Sequence, residues 1–469
     1  MVVGVAAELA SFAANLDISD VPSEVLLKVK SHVLDQLGAQ LACSSLPWNQ
    51  AVYRYGKKHA RQGLATVVGA GDQLDAEYAG LINGTAGHGF EIDDYHPAIG
   101  HPGCVAVSSA LAVGEEEGSS GAEFLLAATL GFEIISRVAL ATMPSMTHDR
   151  GFHASCAEGV FGAAVGAARL MDLPEDILVN AISIAGSHAS STTEYAQSGG
   201  DVKRLHAGMG TAGGIRAARI AAMGMTGPAT IMEGRKGFLQ AFSADPHPER
   251  LTEGLGARWE LMDTALKPYC CCGLIIPQID ALRRIIRDNA IAAPDIEEIR
   301  VGTDRFSLVH VGTIGPEPRD MIGAQFSSHY TLAMTVVGGR NDFTAYLDAS
   351  EMGFADPATL ALSRRVRLEL DEECDGEFPT KWLAKVAVKT TDGRNLVAKS
   401  YPRGSSQDPL SQNEVQAKFT GLAGSAMPSD QAARIAELIW NIEACTSIRE
   451  LSQLLVTPAG WSRSRPNMS

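Results

Sequence analysis

The sequence predicts a mainly α protein, with a large all-helical domain and a smaller α/β lid domain. Three observations predict it. Apolar residues recur at helical spacing from residue 1 to about 255, where Ala and Gly are abundant. After about residue 257 the pattern changes to short strand-like runs, Ile299 to Val301, Val366 to Leu370 and Ala384 to Lys389. From Ser411 the helical spacing returns. The lid, residues 261–404, is therefore read as an insertion into a helical domain formed by 1–260 and completed by 405–469. A chain of 469 residues exceeds what one core usually supports, which agrees with two domains.

Taken in order, Asp20 or Ser23 caps a helix whose Val25, Leu26, Val29, Val33, Leu34, Leu37 and Leu41 share a face, with Pro22 near its start. A strand at Thr66 to Val68 and a turn at Gly69 to Asp72 interrupt. Helices follow at about 74–90, 104–117, 121–142, 154–172 and 174–188. The Gly and Ala in Val160 to Leu170 let backbones approach closely in a bundle. In the lid, helices near 274–288 and 325–337 alternate with the strands, and Thr391-Asp392-Gly393 is a hairpin turn leading to Asn395 to Lys399. Ser411 and Glu414 have capping-box spacing, and helices near 429–442 and 447–455 close the chain.

With 45% hydrophobic and 20% charged residues and mean hydropathy +0.02, the composition is that of a globular protein. A net charge of −15 and a pI near 5.3 argue against nucleic-acid or anionic-membrane partners, which call for a basic face. The first residues carry Glu8 and no basic segment, so neither secretion nor an organelle is expected and the cytoplasm is. No apolar run is expected to approach a membrane-spanning length. The eight cysteines are sparse, which fits a reducing compartment, and the contiguous Cys270, Cys271 and Cys272 read as buried packing beside Gly273.

Candidate chemistry concentrates in Asn83 to Gly103, NGTAGHGFEIDDYHPAIGHPG, which holds three histidines, three carboxylates and two prolines in twenty-one residues. So many ionisable groups place the stretch at a cleft or at the surface. His88 and Glu91 are expected to share a helix face, and Pro97 and Pro102 put His96 and His101 on a loop beyond it. A helix end running into such a loop suits acid/base work. A capping-rich terminus and a metal site are the alternatives, although no HExxH or standard zinc spacing occurs. Three other places stand out: His153 in Gly151-Phe152-His153; Lys203, Arg204 and His206 after the glycine turn Gly199-Gly200; and Lys267 with Tyr269 at the junction of the two regions. Cations beside a glycine turn and a helix start suit a carboxylate. Gly208 to Gly213 satisfies GxGxxG but lacks the preceding strand of a dinucleotide site, and no GxxxxGK[ST] or GxSxG is present.

The succession NGTAGHGFEIDDYH with GHPG, GFHAS, GGDVKRLHAG, TGPATIMEGRKGF and LKPYCCCG resembles the MmgE/PrpD family over roughly residues 5 to 455. Its members include 2-methylcitrate dehydratase, cis-aconitate decarboxylase and iminodisuccinate epimerase. The resemblance implies a helical domain with an α/β lid, a homodimer, and catalysis without metal or organic cofactor at a site between domain and lid. Site residues implied are those matching Glu91, Asp93, Asp94, Tyr95, His101, His153, Lys203, Lys267 and, in FSSHY, Tyr330. Dehydratase members carry a stretch resembling DFNDTW, whereas Glu91-Ile92-Asp93-Asp94-Tyr95-His96 and the CCG are closer to fungal cis-aconitate decarboxylase. Residues and resemblance together point to a lyase that moves a proton at carbon beside a carboxylate of a small di- or tricarboxylate. Dehydratase and epimerase chemistry, and a non-catalytic scaffold, are the alternatives. In this reading His101 carries the mobile proton, His153 and Tyr330 donate to the developing charge, and Asp93 or Asp94 orients an imidazole. Lys203 and Lys267 hold carboxylates from junction loops, so replacing either is expected to spare the fold. Glu91, Asp94, Tyr95, His96, Arg204, His206 and Tyr269 complete the substrate's surroundings.

Overall fold

The computed structural model describes residues 4–98 and 100–460. The chain forms two compact units, one of Met1–Thr264 with Ser411–Ser469 and one of Ala265–Leu410. The fold is mainly α.

The first unit is a bundle whose centre is the helix Gly121–Thr142, started by a capping box between Ser120 and Glu123. Length and composition would let this 22-residue helix cross a bilayer, contrary to the expectation that no run approaches that length. Its apolar window is 94% buried within the unit, because a helix that is apolar all round can also serve as a core. Glu133 and Arg137 form its buried ion pair at 2.6 Å. Arg137 also donates to the carbonyls of Glu253 (3.0 Å) and Arg258 (2.8 Å), and Glu133 accepts from the Leu261 amide (3.0 Å). Both charges are thereby satisfied, and the incoming segment 251–261 is held against the core.

Glycines set how closely the surrounding helices approach. A Cβ at Gly208 in helix Val202–Ala222 would lie 2.2 Å from the Leu81 carbonyl of helix Ala76–Gly87, and one at Gly214 would lie 2.4 Å from the Ala163 Cβ in helix Gly159–Leu170. The GxGxxG is thus a packing surface in mid-helix. The helix Gln412–Ala423 returns to pack on Ser23–Cys43, where Gly38 faces Phe419. Its Lys418 reaches Asp35 (2.5 Å) and the Ile92 carbonyl (2.6 Å).

Several boundaries differ from expectation. Asp20 belongs to a short 3-10 turn capped by Asp17, and helix Ser23–Cys43 starts behind Pro22 without a side-chain cap. The strand lies earlier, at β1 Gln62–Thr66 pairing antiparallel with β2 Gln73–Leu74. Val67 and Val68 leave it because their amides bond to the Asp72 carbonyl and to Asn83 Oδ1. The expected helix 154–172 is broken into Ala154–Ala157 and Gly159–Leu170 at Glu158, whose buried carboxylate accepts from Thr142 Oγ1 (2.8 Å).

The second unit has a four-stranded sheet, β3 Ile296–Thr303, β4 Val366–Leu370, β5 Ala384–Thr390 and β6 Asn395–Ser400, in the order β4-β3-β5-β6. β3 and β4 are parallel and the other pairs antiparallel. The β5–β6 hairpin turns at Gly393, whose φ of +88° favours glycine. Ala384, Val386, Val388 and Thr390 alternate inward, and helix Ile276–Asn289 packs on this part of the sheet. The expected helix 325–337 is two, Met321–Phe326 and Ser328–Val337. Ser327 between them is extended, with its hydroxyl capping the second at the Tyr330 amide (3.1 Å).

Candidate active site

Helix Ala76–Gly87 ends one residue before His88, so His88 and Glu91 do not share a helix face as expected. A Cβ at Gly89 would lie 2.8 Å from both the Ala86 carbonyl and the Cys43 Cβ, so the chain beyond the helix turns through a gap that favours glycine. Nor does the stretch lie at the surface: His88, Glu91, Asp93, Asp94, Tyr95 and His96 are all buried. Burial is sustained because the charges find partners.

Asp93 Oδ2 lies 2.6 Å from Nδ1 of His88 and 3.3 Å from Nδ1 of His101. His101 Nδ1 also donates to the Asp94 carbonyl (2.8 Å). Both imidazoles therefore carry a proton on Nδ1 and present a lone pair at Nε2 when neutral. Burial, then the Lys203 charge, pushes the His88 pKa down to about 3. The His101 side chain retains 14% exposure, which makes it the ring of this pair open to exchange with the surroundings.

The Asp94 carboxylate accepts from His32 Nδ1 (2.9 Å) and from the Gly103 amide (3.0 Å), the first residue of helix Gly103–Glu117. Burial and the Asp93 charge push the Asp94 pKa up to about 7. His32, held well below its usual range by burial, is a residue that sequence reasoning missed. The available signal was the set of polar residues His32, Asp35, Gln36 and Gln40 interleaved with Val33, Leu34, Leu37 and Leu41 in the second half of helix Ser23–Cys43.

His153 precedes helix Ala154–Ala157 and is buried. Ser191, at a φ of +86° that is strained for a side-chain-bearing residue, accepts from the His153 amide (3.3 Å) and donates to its carbonyl (3.0 Å). It too was missed, and strain of this kind has no sequence signature. His153 Nδ1 meets His206 Nδ1 at 3.0 Å, and the ring of Tyr195 stands edge-on to His153. Lys203, in the first turn of helix Val202–Ala222, forms a buried ion pair with Glu91. One ring nitrogen each from His88, His101 and His153 lies within 4.8 Å of the others.

These groups come together in one place. Arg204 and His96 have partners of their own. Arg204 lies over the Trp48 ring (3.9 Å) and donates to the Gly89 carbonyl (3.0 Å) and Asp201 (2.7 Å), bracing the glycine turn. His96 accepts from the Ala98 amide (3.1 Å) and bonds the Glu260 carbonyl (3.2 Å). Lys267, Tyr269 and Tyr330 belong to the second unit. Lys267 is buried. Tyr269 donates to Asp280 (2.7 Å), with burial raising its pKa. Tyr330 lines a cavity of about 240 Å³ with Met334, Asp348 and Asp356, and burial pushes its pKa up to about 12.

Chemically, the cluster offers neutral imidazoles, a carboxylate that orients two of them, and an ammonium beside them. Such a set can move a proton and steady an anion. The trio His88, His101 and His153, or His88 with Asp93 and Cys104, also has the spacing to ligate a metal ion.

Relatives with known names share nearly the whole chain. A cis-aconitate decarboxylase of Aspergillus terreus is 27% identical over 474 residues, covering 97% of this chain and 96% of the relative. A cis-aconitate decarboxylase-like protein of Aspergillus oryzae is 27% identical over 475 residues, 96% of this chain and 97% of the relative. Human cis-aconitate decarboxylase is 25% identical over 457 residues, 95% and 93%. The MmgE/PrpD N-terminal domain matches residues 7–251 and the MmgE/PrpD C-terminal domain matches residues 269–444, so the chain belongs to the MmgE/PrpD family.

Proposed function

We propose that this chain, a lyase of the MmgE/PrpD type, decarboxylates a small tricarboxylate, with cis-aconitate the best candidate. The observation that carries the reading is the grouping of His88, His101 and His153 around Asp93, with the Lys203–Glu91 pair beside them. Loss of carbon dioxide breaks a C–C bond and leaves an electron pair delocalised onto a neighbouring carboxylate. The ammonium of Lys203 and imidazole N–H groups stabilise that charge in a site sheltered from water. A proton then completes the new C–H bond, and His101, the partly exposed ring, delivers it from Nε2, entering the step as the imidazolium and leaving it neutral with its remaining proton on Nδ1. The names of the relatives support decarboxylation over dehydration or epimerisation. Lys267 and Tyr330 are proposed to act in the same reaction.

The test is incubation with cis-aconitate, 2-methylcitrate and iminodisuccinate, followed by proton NMR in light and heavy water. Loss of carbon dioxide from cis-aconitate with one solvent deuteron in the product is the expected result. Turnover of only one of the others would replace the reading with dehydration or epimerisation. The reaction is proposed to need no metal or organic cofactor, and dialysis against EDTA should leave turnover intact. Loss restored by a divalent ion would instead assign the imidazole trio to a metal.

A further inference from the structure

His153 and His206 meet nitrogen to nitrogen, with 3.0 Å between the two Nδ1 atoms. Two neutral rings in this contact share one proton, since two N–H groups would clash and two lone pairs would repel. Their tautomers are therefore complementary. If His206 donates from Nδ1, the proton of His153 sits on Nε2; if His153 donates, its Nε2 carries only a lone pair.

The contact is built into the packing. His206 follows Lys203 on helix Val202–Ala222, and that helix runs so close to Ala154–Ala157 that a Cβ at Gly210 would lie 2.8 Å from the Ser155 carbonyl. Tyr195 packs against both rings, at 5.3 Å from His153 and 6.0 Å from His206. Burial lowers the pKa of each histidine, so both are neutral near pH 7.

The neighbouring imidazoles decide which tautomer an anion needs. His88 and His101 have their protons drawn to Nδ1 by oxygen acceptors, the Asp93 carboxylate and the Asp94 carbonyl. Each offers Nε2 as an acceptor. A carboxylate is itself an acceptor, and the Ser155 hydroxyl 3.5 Å from His153 Nε2 can donate or accept, so among these three rings His153 is the one whose proton position is left for His206 to set.

We infer that His206 is a positioning residue: its Nδ1–H donates to Nδ1 of His153 and so fixes the proton of His153 on Nε2, ready to donate to an anionic substrate. This rests on the carboxylate-lyase reading of the site. It replaces direct substrate contact, the role expected for His206 from the sequence.

The experiment has two arms. In the first, the holoprotein labelled with ¹⁵N-histidine is examined by long-range ¹H–¹⁵N correlation near pH 7. An Nε2–H signal for His153 and an Nδ1–H signal for His206 are expected, and the reverse pair overturns the inference. In the second, turnover of cis-aconitate is compared for His206→Leu and His206→Asn. The Asn amide can donate from near the position of Nδ1. His206→Leu should lower kcat on the order of 10²-fold, the scale of a misplaced general acid, with KM little changed, and His206→Asn should restore most of kcat. Wild-type kcat in His206→Leu, or a rise confined to KM, overturns the inference. If His206→Leu fails to fold, the wild-type tautomers decide. If wild type turns over no polycarboxylate, the functional reading falls, while the tautomer arm still decides the hydrogen bond.

Discussion

His88 is held at one end and open at the other: Nδ1 lies 2.6 Å from the Asp93 carboxylate, and Nε2, buried, has no hydrogen-bond partner among the described residues. Buried polar atoms in native proteins nearly always have partners, so an orphaned acceptor in a cluster of ionisable groups marks where a ligand or a moving proton belongs. The Asp93–His88 pair is thus a second Asp-oriented imidazole beside His101. His88→Asn keeps a donor for Asp93 and removes Nε2. It should fold normally by thermal melting and lose turnover by about 10²-fold or more. Wild-type turnover in this variant would make His88 structural.

His101 and His96 share a loop and differ in their partners. His101→Gln should retain substrate binding and reduce kcat by roughly 10²- to 10⁴-fold, as for a lost general acid. His96 already bonds Glu260 and Ala98 backbone groups, so His96→Gln should weaken thermal stability more than kcat. Deuterium incorporation into product at the wild-type rate in His101→Gln would remove His101 from proton transfer.

Lys203 corrects the expectation that its replacement spares the fold. Lys203 and Glu91 are both buried and paired, so removing the ammonium strands a carboxylate. Loss of one partner of a buried pair costs about 3 to 5 kcal/mol. Urea unfolding should show Lys203→Met strongly destabilised and the double variant with Glu91→Gln partly recovered, while both lack activity. Equal stability of Lys203→Met and wild type would contradict the pairing.

Two buried groups pull the pH dependence of stability in opposite directions. Burial raises Glu158 from 4.5 to about 8, so the folded state binds the extra proton between those values and stability falls as pH rises through that window. Burial, then Lys203, lowers His206 from 6.5 to about 4; its contribution is present above the higher value and lost as pH falls toward the lower one. Asp94, raised to about 7, adds to the loss as pH rises toward that value. Glu158→Gln should therefore remove the fall in unfolding midpoint that this group contributes between about pH 5 and about pH 8, and leave the curve above about pH 8 unchanged. A variant that declines as wild type does up to about pH 8 would show that Glu158 is not responsible.

The sequence by itself determined what depends on local order. Helical spacing placed Gly121–Thr142, the Ser411–Glu414 capping box placed Gln412–Ala423, and Thr391-Asp392-Gly393 placed the β5–β6 turn, because each is set by residues within one or two turns of one another. The ordered motifs named the family for the same reason, since they are strings. Tertiary structure alone decided which ionisable groups meet. Glu91 finds Lys203 across 112 residues, His32 finds Asp94 across 62, and His153 finds His206 across 53. Those encounters depend on how closely glycines let helices approach, as Gly208 and Gly210 do, and on loops whose strained residues, such as Ser191, hold a neighbour's backbone. Neither is periodic in sequence. The same packing excludes water, which is why a stretch dense in charge lies inside the protein rather than on it, each charge stabilised there by a partner that no local pattern announces.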